Sequence, residues 1–214
     1  MKLYTYPGAP NPLRLELLLA EKGIELPTHH VDFAAKEQLS DSYRQKNPNC
    51  DVPMLELDNG TCISQVSAQC QYIEAIYPSP PMYGTSDEQR ALTVMWEHLV
   101  DVNGILAAGE VLRNSSPAME NRALVGPYDY AQIPAMVERG RKRVRHYFDD
   151  LNARLERSPY VAGDFFSMAD ISGWVGVYFA RWVKEVPGPE HTALQAWYEK
   201  LSTRPAFVGT IKRR

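Results

Sequence analysis

The chain has 214 residues, 44% hydrophobic and 23% charged, with a formal net charge of −3 at neutral pH. That allows one large or two small domains with ample core, in a composition ordinary for a globular protein. The charge balance gives no general attraction for nucleic acid or an anionic membrane, and no apolar run reaches the length of a membrane span. The opening residues, M-K-L-Y-T-Y-P-G, meet a proline before a signal-peptide apolar core can form. Cys50, Cys62 and Cys70 contain no C-x-x-C pair and cannot all be disulfide-bonded, which fits a reducing cytoplasm.

In chain order, Leu3 to Tyr6 reads as a first strand. Asn11-Pro12 then opens a helix, with Asn as N-cap and Pro at the first helical position, and Gly23 closes it. His29 to Val31 reads as a second strand and Ala34 to Gln45 as a polar helical segment. Met54 to Leu57 and Thr61 to Ile63 form a hairpin around Asp58-Asn59-Gly60, an Asn-Gly turn expected to hold both central residues at positive φ. Pro53 cannot donate to a ladder, so it belongs at a strand start or a bulge. A cis bond before it leaves the Val52 backbone groups free to pair with an extended peptide. From Val66 the apolar spacing becomes three and four: Val66, Cys70, Ile73 and Tyr77 share one helix face.

Strands alternating with helices and ending in a hairpin indicate a small mixed sheet with helices packed on it. Residues 78–84 hold three prolines in seven and read as a linker. The expected division is therefore a βαβαββα domain at 1–77, a linker at 78–85 and an all-helical domain at 86–214. In the second domain, Ser86 with Gln89 starts a helix running to about Leu112. Asn114 to Gln132 is a loop and Pro134 to Arg157 a long helix. Ser167 caps a further helix with Asp170 at its third position. A last helix, Thr192 to Thr203, stops before Pro205, and the tail Lys212-Arg213-Arg214 frays.

The hairpin V-P-M-L-E-L-D-N-G-T-C-I-S (Val52 to Ser64), the helix after it and F-S-M-A-D (Phe166 to Asp170) together resemble the glutathione transferase family. The resemblance spans essentially the whole chain. It implies a thioredoxin-like first domain, a cis Val52-Pro53 bond, glutathione as co-substrate, a small apolar electrophile as second substrate and a homodimer. It places the Val52 backbone against the cysteinyl part of glutathione. Gln65 and Val66 then lie at the γ-glutamyl carboxylate, on a helix N-terminus. Such enzymes favour the glutathione thiolate by hydrogen bonding, usually from a Tyr, Ser or Cys after the first strand. Here the loop P-G-A-P-N-P-L-R puts Asn11 at that spot. Its amide N–H can stabilise a thiolate but cannot take a proton; the plainer reading of Asn11 is an N-cap alone.

Three positions depart from the family pattern. Val66 replaces a serine, Asp51 stands where Lys or Gln commonly meets the glycyl carboxylate, and Cys50 replaces a glycine. They keep a rival open, a binding protein on the same fold that no longer uses glutathione. A thiol-disulfide oxidoreductase is disfavoured because the first loop lacks a cysteine. The electrophile pocket is expected between the Ala9 loop and the helix around Trp96 to Leu112.

Several residues carry plainer readings. Tyr4 and Tyr6 are packing residues, Thr5 is a hydroxyl on the alternate strand face, and Ser167 and Asp170 are structural. Arg139, Arg141, Lys142, Arg143 and Arg145 form a solvated face rather than a nucleic-acid stripe. Cys62 and Cys70 belong to the core, while Cys50 lies in a loop open to reaction. His29-His30 lacks a third ligand at metal spacing, so no metal site is expected.

Overall fold

The structure, a computed structural model, describes residues 1–7 and 9–212. Four strands, β1 (Lys2–Thr5), β2 (Thr28–His30), β3 (Met54–Glu56) and β4 (Cys62–Ser64), form one sheet in the order β2-β1-β3-β4. β1 runs parallel to β2 with Leu3 opposite Thr28, and antiparallel to β3 with Leu3 opposite Leu55. β3 pairs antiparallel with β4, Leu55 opposite Ile63. Interleaved helices are α1 (Pro10–Glu21), the short α2 (Asp41–Lys46) and α3 (Val66–Ile76). This is a thioredoxin-like arrangement. The polar segment expected to be helical from Ala34 is instead a 3₁₀ turn at Glu37–Leu39 followed by α2, which Ser40 caps by accepting from the Tyr43 N–H.

The hairpin turn also differs from expectation. Only Gly60 has positive φ, at 83°. The Gly60 N–H donates to the Leu57 carbonyl and Leu57 N–H to Thr61, so Asp58 and Asn59 turn the chain and glycine alone takes the left-handed position. Asn59 accepts from the Thr61 N–H through its side chain at 3.0 Å.

Among the described residues after 86, the regular elements are helical, with one isolated bridge between Arg122 and Tyr130: α4 (Asp87–Val100), a π-helical turn (Asp101–Ile105), α5 (Leu106–Ser115), α6 (Ala135–Leu155), α7 (Met168–Ala180), α8 (Thr192–Ser202) and α9 (Pro205–Lys212). The helix expected from Ser86 is thus unbroken along the chain to Ser115 but widened at Asp101. α9 was not expected. Pro205 does end α8's run, but its fixed φ suits the first turn of a new helix. Arg213 and Arg214 of the tail lie outside the described residues.

Two helices are largely interior: α7, apolar nearly all round, and α1, whose leucine run is interrupted by Arg14 and Glu16. α7 buries twelve of its thirteen residues. α1 buries Leu13, Leu15, Leu17 and Leu18, packing on α3 to one side and on α7 and α9 to the other. It is the joint between sheet and helical bundle. The linker is fastened to it: Lys22 Nζ donates to the carbonyls of Tyr77 and Pro80, both at 2.7 Å, and lies 2.7 Å from Glu74 Oε2. Glu74 accepts from the N–H groups of Met82 and Tyr83.

Candidate functional site

The Val52-Pro53 bond is cis, as is Ser79-Pro80. Pro53 stands just before β3, where its missing N–H costs no ladder bond. Gln69, buried on α3, donates its side-chain amide to the carbonyls of Pro53 (2.8 Å) and Ile63 (2.7 Å). That bond pins α3 beside the Val52-Pro53 turn. Gln65 caps α3 with φ 72° and ψ 112°, a strained setting for a non-glycine residue. Its amide donates to Asp51 Oδ2 at 2.8 Å. Asp51 also accepts from Asn47 Nδ2 at 2.7 Å, and its carbonyl receives the Tyr43 hydroxyl. Val66 begins α3 with its side chain buried in the core, leaving the backbone N–H at the positive end of the helix. Val52, Pro53, Gln65 and Val66 are therefore brought to one place, and Asp51 closes it through Gln65 rather than standing apart.

Asn11 is not the N-cap. Ala9, in extended conformation, holds that position without a side-chain bond, Pro10 is first in α1, and Asn11 follows inside the first turn. The reason is the earlier proline, whose fixed φ starts the helix two residues sooner than Pro12 could. Freed from capping, the Asn11 carboxamide oxygen accepts from Arg14 Nη1 at 3.3 Å. Arg14 is completely buried and spans the joint. Its Nη1 also donates to Asp101, its Nη2 to Glu97 at 3.2 Å and its Nε to Ser172 Oγ at 3.0 Å. Burial alone would lower the Arg14 pKa; Asp101 and Glu97 outweigh it and leave it above the ordinary value. For Glu97 burial wins, and its pKa lies above the usual carboxylate range despite Arg14.

Residues 1–75 match the family model described as glutathione S-transferase, N-terminal domain, and residues 116–205 match its C-terminal domain. Glutathione S-transferase 2 of Saccharomyces cerevisiae is 31% identical over 220 residues, covering 100% of this chain and 91% of the relative. The chain belongs to the glutathione S-transferase family. Among solved structures, a glutathione S-transferase domain-containing protein of Marinobacter aquaeolei is 31% identical with a TM-score of 0.88, over 97% of this chain and 100% of the other. Gtt2 of Saccharomyces cerevisiae is 29% identical with a TM-score of 0.90, over 98% and 100%.

Within this glutathione transferase fold several plainer readings find their partners. Thr5 is buried and donates its hydroxyl to Glu16 at 2.6 Å, so it is spent. Tyr4 donates to Glu56, and Tyr6 stacks on Phe33 with ring centroids 4.4 Å apart. Ser167 Oγ accepts from the Ala169 N–H at 3.2 Å, and with Asp170 it closes the expected capping box at the start of α7. Asp170 accepts from the N–H groups of Val161 and Ser167, the Ser167 hydroxyl and Trp197 Nε1. Burial pushes its pKa up to about 6 against those four donors. Cys50 is buried, not open to reaction, and its thiol points at the Pro48 carbonyl. Among the described residues no group of three or more His, Cys, Asp or Glu could hold a metal.

The basic run on α6 is not simply solvated. Arg139 and Arg143 pair with Glu110, Arg141 and Arg145 with Glu185, and Lys142 with Glu138. A groove of about 450 Å³ lies between α4 and α6, lined by Trp96, Leu99, Asn103 and Arg154 among others, and by none of the described residues of the Ala9 loop. Sequence reasoning missed Arg14. Its signal was a charged residue inside the run Leu13-Arg14-Leu15, three positions after Asn11 and so on its side of the helix.

Proposed function

We propose that this chain is a glutathione transferase that joins the glutathione sulfur to a small apolar electrophile. Asn11 donates its amide N–H to the thiolate at the positive end of α1. The Val52 backbone, positioned by Pro53, pairs with the cysteinyl group. Gln65 and the Val66 N–H serve the γ-glutamyl end on the N-terminus of α3. The thiol proton passes to water, because an amide is no base. The sulfur then forms a bond to carbon while a leaving group departs with its electron pair.

The reading is supported by the full-length likeness to the yeast glutathione S-transferase and by the place of Asn11 inside the first turn of α1. The non-catalytic rival is not favoured by these relatives. The same reading takes 1–77 as the glutathione-binding domain, 78–85 as linker and 86–214 as the helical domain. It takes the cytoplasm as the site of action, since all three cysteines are free, and a homodimer as the working form. No helix among the described residues is long and apolar enough to cross a membrane.

The test is retention on immobilised glutathione with elution by free glutathione, followed by turnover of an aryl halide. A protein that is neither retained nor active sinks the enzyme reading.

A further inference from the structure

We propose that Arg14 and Asp101 are positioning residues for Asn11, so that the helical bundle sets the acidity of glutathione held by the other half of the chain. This rests on the reading of Asn11 as the thiolate donor. A guanidinium has five N–H donors and no acceptor. Of the two ends of the Asn11 carboxamide, only the oxygen can face Arg14, and it does so at 3.3 Å. The amide nitrogen is thereby turned away from the joint, and among the described residues it donates to nothing. An asparagine free to flip would present its oxygen half the time, and an oxygen repels a thiolate.

Arg14 can impose this orientation because it has no freedom of its own. Ser172 holds Nε at 3.0 Å, Glu97 holds Nη2 at 3.2 Å, and Asp101 binds Nη1, the same nitrogen that meets Asn11. Glu97 is 2% exposed and neutralises a buried cation, so its loss would threaten the fold. Asp101 is 31% exposed, at the rim. It opens the π-helical turn, an insertion of a kind that re-aims side chains and recurs at functional sites. Asp101 is therefore the place where the orientation of Asn11 can be loosened while the core stays intact.

The sign of the effect separates positioning from simple electrostatics. Removing a negative charge near a thiolate lowers the thiol pKa through the direct field. Releasing Arg14, and with it Asn11, raises the pKa because the donor is lost. Asp101→Asn, Asn11→Ala and the double variant are compared by the ultraviolet absorbance of bound thiolate against pH, with thermal unfolding of each. Asn11→Ala raises the thiol pKa by about one unit, the worth of one hydrogen bond to a charged group. Asp101→Asn also raises it, lowering kcat with little change in the KM for glutathione. In the Asn11→Ala background it gives no further rise. Asp101→Glu, which keeps a carboxylate for Nη1, restores the parent titration. Ser172→Ala, loosening Nε, gives a smaller rise and serves if Asp101→Asn fails to fold. An unchanged or lowered pKa in Asp101→Asn, or an equal rise in both backgrounds, overturns the positioning role and leaves Asn11 standing. An unshifted titration in Asn11→Ala overturns the Asn11 reading and this one with it.

Discussion

The side-chain amide of Gln65 donates to the Asp51 carboxylate across 2.8 Å, tying the strained first residue before α3 to the loop that leads into Val52-Pro53. The bond puts a negative charge beside the helix N-terminus that would receive the γ-glutamyl carboxylate. Asp51→Asn keeps an acceptor for Gln65 or Asn47 and removes the charge. Glutathione should then bind more tightly, by up to about 1 kcal/mol at low salt and less as salt rises, because the site is partly wet. Titration calorimetry at two salt concentrations measures it. Weaker binding would show instead that Asp51 receives the γ-glutamyl ammonium group.

Asp170 gathers four donors from Val161, Ser167 and Trp197 at the buried start of α7. Asp170→Asn turns an NH₂ toward N–H groups, and Asp170→Ala leaves all four unmet. Either should destabilise the protein by roughly 3 kcal/mol or more, since several buried donors lose their acceptor together. Activity per folded molecule should be preserved. Denaturant unfolding with matched kinetics checks both halves, and lost turnover with an unaltered unfolding midpoint would give Asp170 a role in the chemistry.

The contrast between these two sites shows what a sequence discloses. The Ser167–Asp170 box spans four residues and the hairpin barely a dozen, so local pattern encodes them. Arg14 meets partners 83, 87 and 158 residues away, and nothing near Leu13 or Leu15 announces them. Gln65 and Asp51, both singled out for a ligand, bind each other, because the hairpin folds fourteen residues back on themselves. The Asn11 capping role failed for a local reason: two prolines, Pro10 and Pro12, both suit a first helical position, and the earlier one starts α1.

Glu185 ties the segment after α7 to α6. It accepts from Arg141 at 2.7 Å and from Arg145 at 3.0 Å. Burial acts to raise its pKa, but the two arginines outweigh it and hold it below the ordinary value. The unfolded chain therefore binds more protons than the folded one near that range, and stability falls as acid protonates Glu185. Glu185→Gln should cost about 1 kcal/mol at pH 7, crediting chiefly the less exposed Arg141. The gap between parent and variant should close below the folded pKa, under the ordinary carboxylate range. A gap that persists at pH 3 would assign the effect to packing rather than charge.

Met95 and Leu99 stand one turn apart on α4, 45% and 37% exposed, and Leu106 beyond the π-helical turn is 60% exposed. Side chains four apart share a helix face, and a stripe of large apolar groups left to water is a liability that a second copy of the chain can cover. Charging the stripe by Met95→Glu with Leu99→Glu should convert a dimer to a monomer, because two unpaired carboxylates cannot be buried against an apolar face without a large desolvation cost. The substitutions lie on an exposed surface, so each monomer should keep its fold and its far-ultraviolet circular dichroism. Sedimentation velocity over a range of concentrations reads the outcome. A parent that sediments as a monomer at every concentration removes the homodimer. A double variant that stays dimeric moves the interface elsewhere, with the exposed Ile76 and Tyr77 at the end of α3 next to be charged.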